Sequence, residues 1–163
     1  MNENSPAPAW VIHCDGSAWP NPGRMGLGAV VTGPDGAVRH QVSEATTFTG
    51  CNNEAELRAL MHALQWLAQQ GLAASTPVQV FSDSSVLVEQ LGGRPAAPLA
   101  RLAPLFDEAR SLLHAFDDVR LQWIPRHRNG AADTLARTAL GLAPKAATPP
   151  SQRDRKKPKK KRR

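Results

Sequence analysis

The chain has 163 residues, of which 41% are hydrophobic and 21% charged, and its formal net charge is +6. This length suits one domain with its own core, the apolar fraction excludes a wholly disordered chain, and no apolar run approaches the ~20 residues that span a bilayer. Residues 1–143 hold 10 Arg, no Lys and 13 Asp and Glu, a net charge of −3, whereas residues 144–163 carry +9. This division predicts a mildly acidic body with a strongly basic tail.

The two ends of the chain differ in composition from the middle. Residues 1–9 indicate a flexible N-terminal arm without the apolar stretch of a signal peptide, residues 10–143 one domain, and residues 144–163 a disordered tail, because dense like charges repel. Cys14 and Cys51 are too few for a disulfide framework or a four-cysteine zinc cluster. A single bridge between them stays open but is disfavoured in the reducing, cytoplasmic setting that we expect.

Apolar patterns and turn signals predict the elements of the body in chain order. Strands are predicted at Trp10–Asp15, Leu27–Gly33, Ala37–Glu44, Pro77–Ser82 and Asp118–Ile124. Helices are predicted at Asn53–Gln70, Ser84–Leu91, Leu99–Phe116 and from Asn129 to about Leu140.

Particular residues support these elements. The turn residues at 33–36 predict a hairpin between the second and third strands. In the long helix, leucines at 57, 60, 64 and 67 form one apolar stripe. Asn52 or Asn53 can cap its start and Gly71 can end it, Pro104 should kink or restart the third helix, and Asn129 can cap the last one. The order of elements implies a mixed sheet with packed helices.

Four carboxylates fall where strands and helices should meet. Asp15 and Asp83 end the first and fourth strands, while Glu56 and Asp133 lie near the starts of the long and last helices. If those two strands are parallel neighbours, Asp15 and Asp83 emerge at the sheet edge where ligands bind in open α/β folds. Each residue alone also suits a structural role, in a capping box for Glu56, at a helix N-terminus for Asp133 and in turns for the others.

Together the four carboxylates indicate a metal site. Clustered carboxylates raise one another's pKa unless a cation neutralises them, and oxygen ligands without His or Cys suit Mg²⁺ or Mn²⁺. Four of them can hold two ions, which clamp the attacking and leaving oxygens of a phosphodiester. His127, between Arg126 and Arg128, is either an ordinary exposed residue or a group that moves protons to water or a leaving group.

At these residues the chain resembles ribonuclease H of type 1. The matching segments occur in family order and span about residues 10–140. They are Asp15-Gly16-Ser17, Asn21-Pro22-Gly23, Gly26-Leu27-Gly28, Asn52-Asn53-Glu54-Ala55-Glu56-Leu57, Ser82-Asp83-Ser84 and Trp123-Ile124-Pro125-Arg126-His127-Arg128-Asn129-Gly130-Ala131-Ala132-Asp133-Thr134-Leu135-Ala136. The glycines between residues 23 and 28 lie between two strands of a meander, so a nucleotide-binding loop is rejected.

The resemblance implies an α/β ribonuclease H-like fold, in which a five-stranded mixed sheet has its first three strands antiparallel, strands 1, 4 and 5 parallel, and helices on both faces. It implies an endonuclease that hydrolyses the RNA strand of RNA/DNA hybrids with two Mg²⁺ ions, or Mn²⁺ ions, and leaves 3′-hydroxyl and 5′-phosphate ends. The implied catalytic and metal-binding residues are Asp15, Glu56, Asp83 and Asp133, with His127 assisting proton transfer. The implied contacts to the minor groove, where the 2′-hydroxyl marks RNA, are Gly16, Ser17, Asn21, Asn52 and Asn53.

Two departures from the family pattern bear on how the substrate is held. Residues 91–116 contain three Arg but no Lys or Trp, so the chain resembles the shorter branch that lacks a basic protrusion. Cys51 replaces a Thr that contacts the DNA strand in many members, and a thiol is a weaker hydrogen-bond partner. Trp19 either stacks on a sugar or base or is a partly buried loop aromatic.

The basic tail is predicted to supply the missing grip. Cations that contact phosphates add sequence-independent affinity, which falls by roughly 0.9 log units per neutralised phosphate on a log–log plot against salt. A solubility tail and a nuclear-import-like signal are the alternatives. The predicted tether residues are Lys156, Lys157, Lys159, Lys160, Lys161, Arg162 and Arg163.

Two other functions stay open beside a hybrid-specific ribonuclease. The chain could be a nucleic-acid-binding module that has lost catalysis, or a broader metal nuclease that also cuts double-stranded RNA. The complete set of four carboxylates favours an enzyme. We expect an RNA/DNA hybrid as partner, no membrane association and a monomer.

Overall fold

The computed structural model describes residues 8–74, 76–92 and 100–143. The predicted tail and the first seven residues of the predicted arm lie outside this part of the chain. Short 3-10 helices at Ala100–Leu102 and Arg126–Arg128 precede the third and fourth α-helices. The strands and α-helices are, in chain order, β1 (Trp10–Trp19), β2 (Gly23–Thr32), β3 (Val38–Gly50), α1 (Asn52–Gln69), β4 (Val78–Ser82), α2 (Ser85–Leu91), α3 (Ala103–His114), β5 (Val119–Trp123) and α4 (Gly130–Ala139).

The strands form one sheet in the order β3-β2-β1-β4-β5. β1 and β3 are antiparallel to β2, whereas β4 is parallel to both β1 and β5. The expected five-stranded mixed sheet is therefore confirmed. The predicted hairpin turn is also present, because the Gly36 N–H donates to the Gly33 carbonyl at 2.9 Å and Gly36 has a φ of 83°, which glycine adopts without strain.

The first three strands are longer than predicted, and this corrects the position of Asp15. Asp15 lies inside β1, which goes on pairing with β2 as far as Trp19. The turn-forming residues after Asp15 suggested an end to the strand, but pairing with β2 overrides that local preference. β4 ends at Ser82, opposite Cys14. From Asp15 onward, β1 thus has no partner from β4 along that side, and the sheet has a notch there.

Helices cover both faces of the sheet and approach β1 and β2 closely. A Cβ added at Gly16 would lie 2.2 Å from the Ala55 carbonyl carbon in α1, and one added at Gly28 would lie 2.2 Å from the Ala132 oxygen in α4. Gly28 pairs with Asp15, so successive residues of β1 face α4 and α1 in alternation. The glycines of the motifs therefore serve to bring the two helices down onto the sheet.

The long helix follows its predicted stripe, whereas its predicted cap is wrong. The four leucines of the stripe are fully buried, at Leu57, Leu60, Leu64 and Leu67. The N-cap is Cys51, whose side chain makes no capping bond. Asn52 is the first helical residue, and its side chain accepts a hydrogen bond from the Ala18 N–H at 2.7 Å instead. A contact between α1 and β1 has replaced the local cap.

Three further expectations can be compared with the structure. Gly71 has a φ of 74° just after α1, and Pro104 lies in the first turn of α3, so the predicted helix end and restart are both present. Cys14 and Cys51 are free thiols, and the alternative of a bridge does not occur. None of the helices within the described residues has the length and apolar character needed to cross a membrane.

Candidate active site

Three of the four predicted carboxylates meet at the notch in the sheet. Asp15 comes from the interior of β1, Asp83 follows the end of β4, and Glu56 lies in the second turn of α1. One carboxylate oxygen from each lies within 4.8 Å of the other two. Asp15 is 6% exposed and the Asp83 side chain 7%. The end of β4 leaves room for side chains from both faces of the sheet to converge. The result is a buried cluster of carboxylates.

Burial and crowding raise the pKa of each carboxyl in this cluster. Burial, with the charges of Asp83 and Glu56 and a hydrogen bond to Asp133, raises the pKa of Asp15 to about 8. Burial raises the pKa of Glu56 to about 7 and also raises that of Asp83. The ionised forms are thus held at a cost that a nearby cation would remove. A set made only of oxygen donors fits a hard divalent ion such as Mg²⁺ or Mn²⁺.

Two neighbours favour the ionised state. The Arg126 Nε lies 3.7 Å from the Asp83 Oδ2, and the charge of this largely exposed side chain partly offsets the rise that burial causes in the pKa of Asp83 and Glu56. A hydrogen bond from Ser84 also lowers the pKa of Glu56. Arg126 was not among the residues predicted for the site, although its place beside His127 in a basic loop was an available signal.

The other two predicted catalytic residues lie outside the compact cluster. Asp133 is in the first turn of α4, and its hydrogen bond and charge help to raise the pKa of Asp15. His127 lies exposed in the 3-10 helix Arg126–Arg128. Within the described residues, neither belongs to the group of ligand atoms that lie within 4.8 Å of one another. Their catalytic roles therefore remain predictions.

Asn129 has a different role from the predicted cap. It occupies the N-cap position of α4, but its side chain makes no capping bond. The side chain is 1% exposed, and Nδ2 donates to the Cys14 carbonyl at 2.9 Å. Its amide also hydrogen-bonds Asp83 and lowers the pKa of that carboxyl. Sequence reasoning missed this inward orientation because it depends on a contact 115 residues away along the chain.

The residues predicted to contact substrate form a polar rim beyond Asp15. The Gly16 N–H donates to the Asp15 Oδ1 at 2.9 Å, and Asn52 links the Ala18 N–H to the Asn21 Oδ1 through bonds of 2.7 and 3.2 Å. Asn52 is exposed, whereas Ser17 and Asn53 are half-buried. At ~3.3 Å per residue along a strand, Ala18 lies about 10 Å from Asp15. The predicted tether residues, 156–163, lie outside the described part of the chain.

Comparison with known sequences identifies relatives over most of the body. Residues 13–139 match the reverse transcriptase-like family. The chain is 35% identical over 137 residues to a bifunctional protein of Mycobacterium tuberculosis, covering 84% of this chain and 37% of that protein. It is 33% identical over 126 residues to a ribonuclease HI of Halobacterium salinarum, covering 77% and 61%, and 33% identical over 145 residues to a ribonuclease H of Pelobacter propionicus, covering 79% and 83%. The chain thus spans little more than a third of the length of the mycobacterial relative.

Solved structures agree with the sequence matches. The N-terminal RNase H domain of the mycobacterial protein has a TM-score of 0.73 at 35% identity, covering 80% of this chain and 98% of that one. LC11-RNase H1, a protein obtained from compost, was solved in complex with an RNA/DNA hybrid; it has a TM-score of 0.75 at 30% identity, covering 81% and 96%. The motifs, the mixed sheet and the carboxylate cluster lead to the same assignment: this chain belongs to the reverse transcriptase-like family of ribonuclease H proteins.

Proposed function

We propose that the chain is a divalent-metal-dependent endonuclease that hydrolyses the RNA strand of RNA/DNA hybrids. The observation that carries the proposal is the cluster of Asp15, Glu56 and Asp83 in the notch, with an oxygen from each within 4.8 Å of the others. LC11-RNase H1, a relative at 30% identity that was solved with such a hybrid, supports this substrate class. The presence of Asp133 in the first turn of α4 completes the set of carboxylates that the family uses.

In this proposal the three clustered carboxylates and Asp133 hold two Mg²⁺ ions, or Mn²⁺ ions. Such ions, when bound, would activate a water nucleophile and offset the charge on the scissile phosphate, and cleavage of its bond to the 3′ oxygen would leave 3′-hydroxyl and 5′-phosphate ends. The chain supplies part of the geometry, because the Gly16 N–H fixes the Asp15 carboxylate, and Ser84 favours the ionised form of Glu56. Such contacts around the ligands set their orientation before the ions arrive.

Other residues recognise the substrate and move protons. The exposed Asn52 amide, together with Asn21 and the backbone at residues 16–18, can donate to and accept from ribose hydroxyls, and only the RNA strand has a 2′-hydroxyl. Arg126, beside the carboxylates, suits a phosphate of the bound strand. His127 is exposed in the segment just before α4, and the family resemblance assigns proton transfer to it.

We also propose that the basic tail tethers the enzyme to the duplex. The described part of the chain ends at Ala143, whose carbonyl accepts a hydrogen bond of 2.8 Å from the Arg137 Nε, and Leu140 packs at Gly26, which pairs with Ser17. Deletion of residues 144–163 should raise the KM and flatten its salt dependence, with kcat nearly unchanged. A deletion variant that binds the hybrid as tightly at low and high salt would contradict the tether and leave the solubility or import alternative.

One assay tests the activity. Labelled RNA/DNA hybrid, double-stranded RNA and DNA duplex are incubated with Mg²⁺, Mn²⁺ or EDTA, using the wild type and Asp83→Asn, and the product ends are identified. We expect metal-dependent cleavage of the hybrid alone, lost in Asp83→Asn. Absence of cleavage by the wild type would instead favour a binding module, and cleavage of double-stranded RNA would favour the broader nuclease. Cleavage that survives EDTA would contradict the metal mechanism.

The setting of this activity is also a proposal. RNA/DNA hybrids form where nucleic acids are copied, and the two free thiols suit a reducing compartment, so we place the protein in the cytoplasm. We expect a monomer, which light scattering at several protein concentrations can test.

A further inference from the structure

One buried amide lies where the elements that carry the carboxylates meet. Asn129 is 1% exposed and stands at the N-cap position of α4, four residues before Asp133. Its Nδ2 donates to the carbonyl of Cys14, the residue before Asp15 in β1. The same amide also acts on Asp83, after β4, because its hydrogen-bonding character counters part of the rise in the pKa of that carboxyl. A single side chain therefore touches β1, the end of β4 and the start of α4.

An amide side chain suits both neighbours. The Cys14 carbonyl and the Asp83 carboxylate are both acceptors, and an amide nitrogen has two hydrogens to donate. A serine has one donor and an alanine none. The orientation of the amide is fixed as well, because a flipped group would set Oδ1 against the Cys14 carbonyl.

This orientation leaves the other end of the amide without a bond. Oδ1 is buried and has no hydrogen-bond partner among the described residues. A buried acceptor without a donor is disfavoured, and proteins rarely retain one without a reason. If the residue served only to start α4, a side chain that bonds the helix N–H groups would do so without this cost. The contacts of Nδ2 thus carry the role of the residue.

We propose that Asn129 is a positioning residue that fixes the Asp83 carboxylate against the β1 backbone next to Asp15, and so sets the spacing of the two ligands for a divalent cation. The inference rests on the proposed metal-dependent function. In this inference the amide acts through its neighbours, the Cys14 carbonyl beside Asp15 and the Asp83 carboxylate. Residues that orient metal ligands in this way typically contribute about 10- to 100-fold in metal affinity or activity.

Three variants of the full chain separate positioning from general packing. Asn129→Ala removes both donors, and Asn129→Ser, the milder change, retains one. Ser43→Ala is the control, because the Ser43 hydroxyl donates to the Leu135 carbonyl at 2.8 Å and ties α4 to β3 without touching a carboxylate. For each, calorimetry measures Mg²⁺ and Mn²⁺ binding without substrate, circular dichroism measures folding and Tm, and steady-state kinetics on the hybrid measure kcat and KM.

We expect Asn129→Ala to weaken metal binding by about 10- to 100-fold and to lower kcat similarly, with KM for the hybrid within about twofold. Asn129→Ser should fall between Asn129→Ala and the wild type, and Ser43→Ala should change Tm alone. Unchanged metal affinity in a folded Asn129 variant would overturn the proposal, and so would an equal loss in Ser43→Ala. If the wild type binds metal but does not cut the hybrid, the proposed function fails, while the calorimetry still decides the role of Asn129.

Discussion

The two helices that carry predicted metal-binding carboxylates are held in different ways. α1 has 18 residues, eight of them buried, and its leucine stripe forms much of the core on one face of the sheet. α4 has 10 residues, of which only Ala132 and Ala136 are buried, and it lies on glycines of β2. Glu56 of α1 joins the compact cluster, whereas Asp133 of α4 stays outside it. We infer that the hydrophobic core fixes the Glu56 carboxylate firmly, whereas close backbone packing and the side-chain contacts of Asn129 and Ser43 place that of Asp133.

The largest expected effect separates the ligands of the two helices. Glu56→Gln should lower kcat by about 1000-fold, because it removes one of three clustered charges. Asp133→Asn should lower it by about 10- to 100-fold, because Asp133 acts on Asp15 from outside the cluster. The measurement is single-turnover cleavage of a hybrid. Asp107→Asn, which alters an exposed carboxylate paired with Arg110, is the control and should leave the rate unchanged. Equal losses in the two ligand variants would contradict the comparison.

A second test adds one methyl group to the sheet beneath each helix. Gly16→Ala would press on the Ala55 backbone of α1, and Gly28→Ala on the Ala132 oxygen of α4. Overpacking costs about 1–3 kcal/mol, and we expect Gly16→Ala near the upper end because the larger core behind α1 cannot move away. Urea unfolding gives both values. Gly130→Ala, which meets nothing within 4 Å, is the control and should be neutral or slightly stabilising. A larger loss for Gly28→Ala would reverse the ranking of the two helices.

Whether the sequence predicts a feature depends on how far apart along the chain the residues that determine it lie. The leucines of α1 and the turn at Gly36 follow from residues a few positions apart, so pattern and turn chemistry suffice. The continuation of β1 past Asp15 depends on pairing with β2, and the inward turn of Asn129 depends on Cys14, 115 residues away. Local propensity favoured a strand end in the first case and a helix cap in the second. Both errors concern the active site, where long-range contacts override local preference.

The raised pKa values predict an unusual dependence of stability on pH. Asp15 and Glu56 titrate near 8 and 7 in the folded protein, far above the value of about 4 for unfolded carboxyls. The folded state then binds more protons than the unfolded state, so the free energy of unfolding falls as pH rises through this range. In EDTA, Tm should decrease between about pH 5 and pH 8.

Metal and a ligand variant serve as controls for that prediction. Mg²⁺ favours the ionised carboxylates, so it should raise Tm more at about pH 8 than at about pH 5. Glu56→Gln removes the α1 carboxyl whose pKa is raised, so the decrease of Tm with pH in EDTA should become shallower. A Tm in EDTA that rises steadily across the same range would show that burial does not hold these groups protonated.

The smallest expected effect tests whether the segment before α4 acts on the ligand carried by α1. Arg126 lowers the pKa of Asp83 and Glu56, but its side chain is 74% exposed, so water and salt screen the attraction. Arg126→Ala should shift the pH of half-maximal Mg²⁺ binding upward by less than about one unit and change the free energy of unfolding by at most ~0.5 kcal/mol. Arg128→Ala, an exposed arginine in the same turn, should leave the midpoint in place. Salt at about 0.5 M should shift the wild type toward Arg126→Ala, because both weaken the same charge interaction. If the pH profiles of Mg²⁺ binding coincide for the wild type and Arg126→Ala, the segment before α4 does not act on the carboxylates of the cluster.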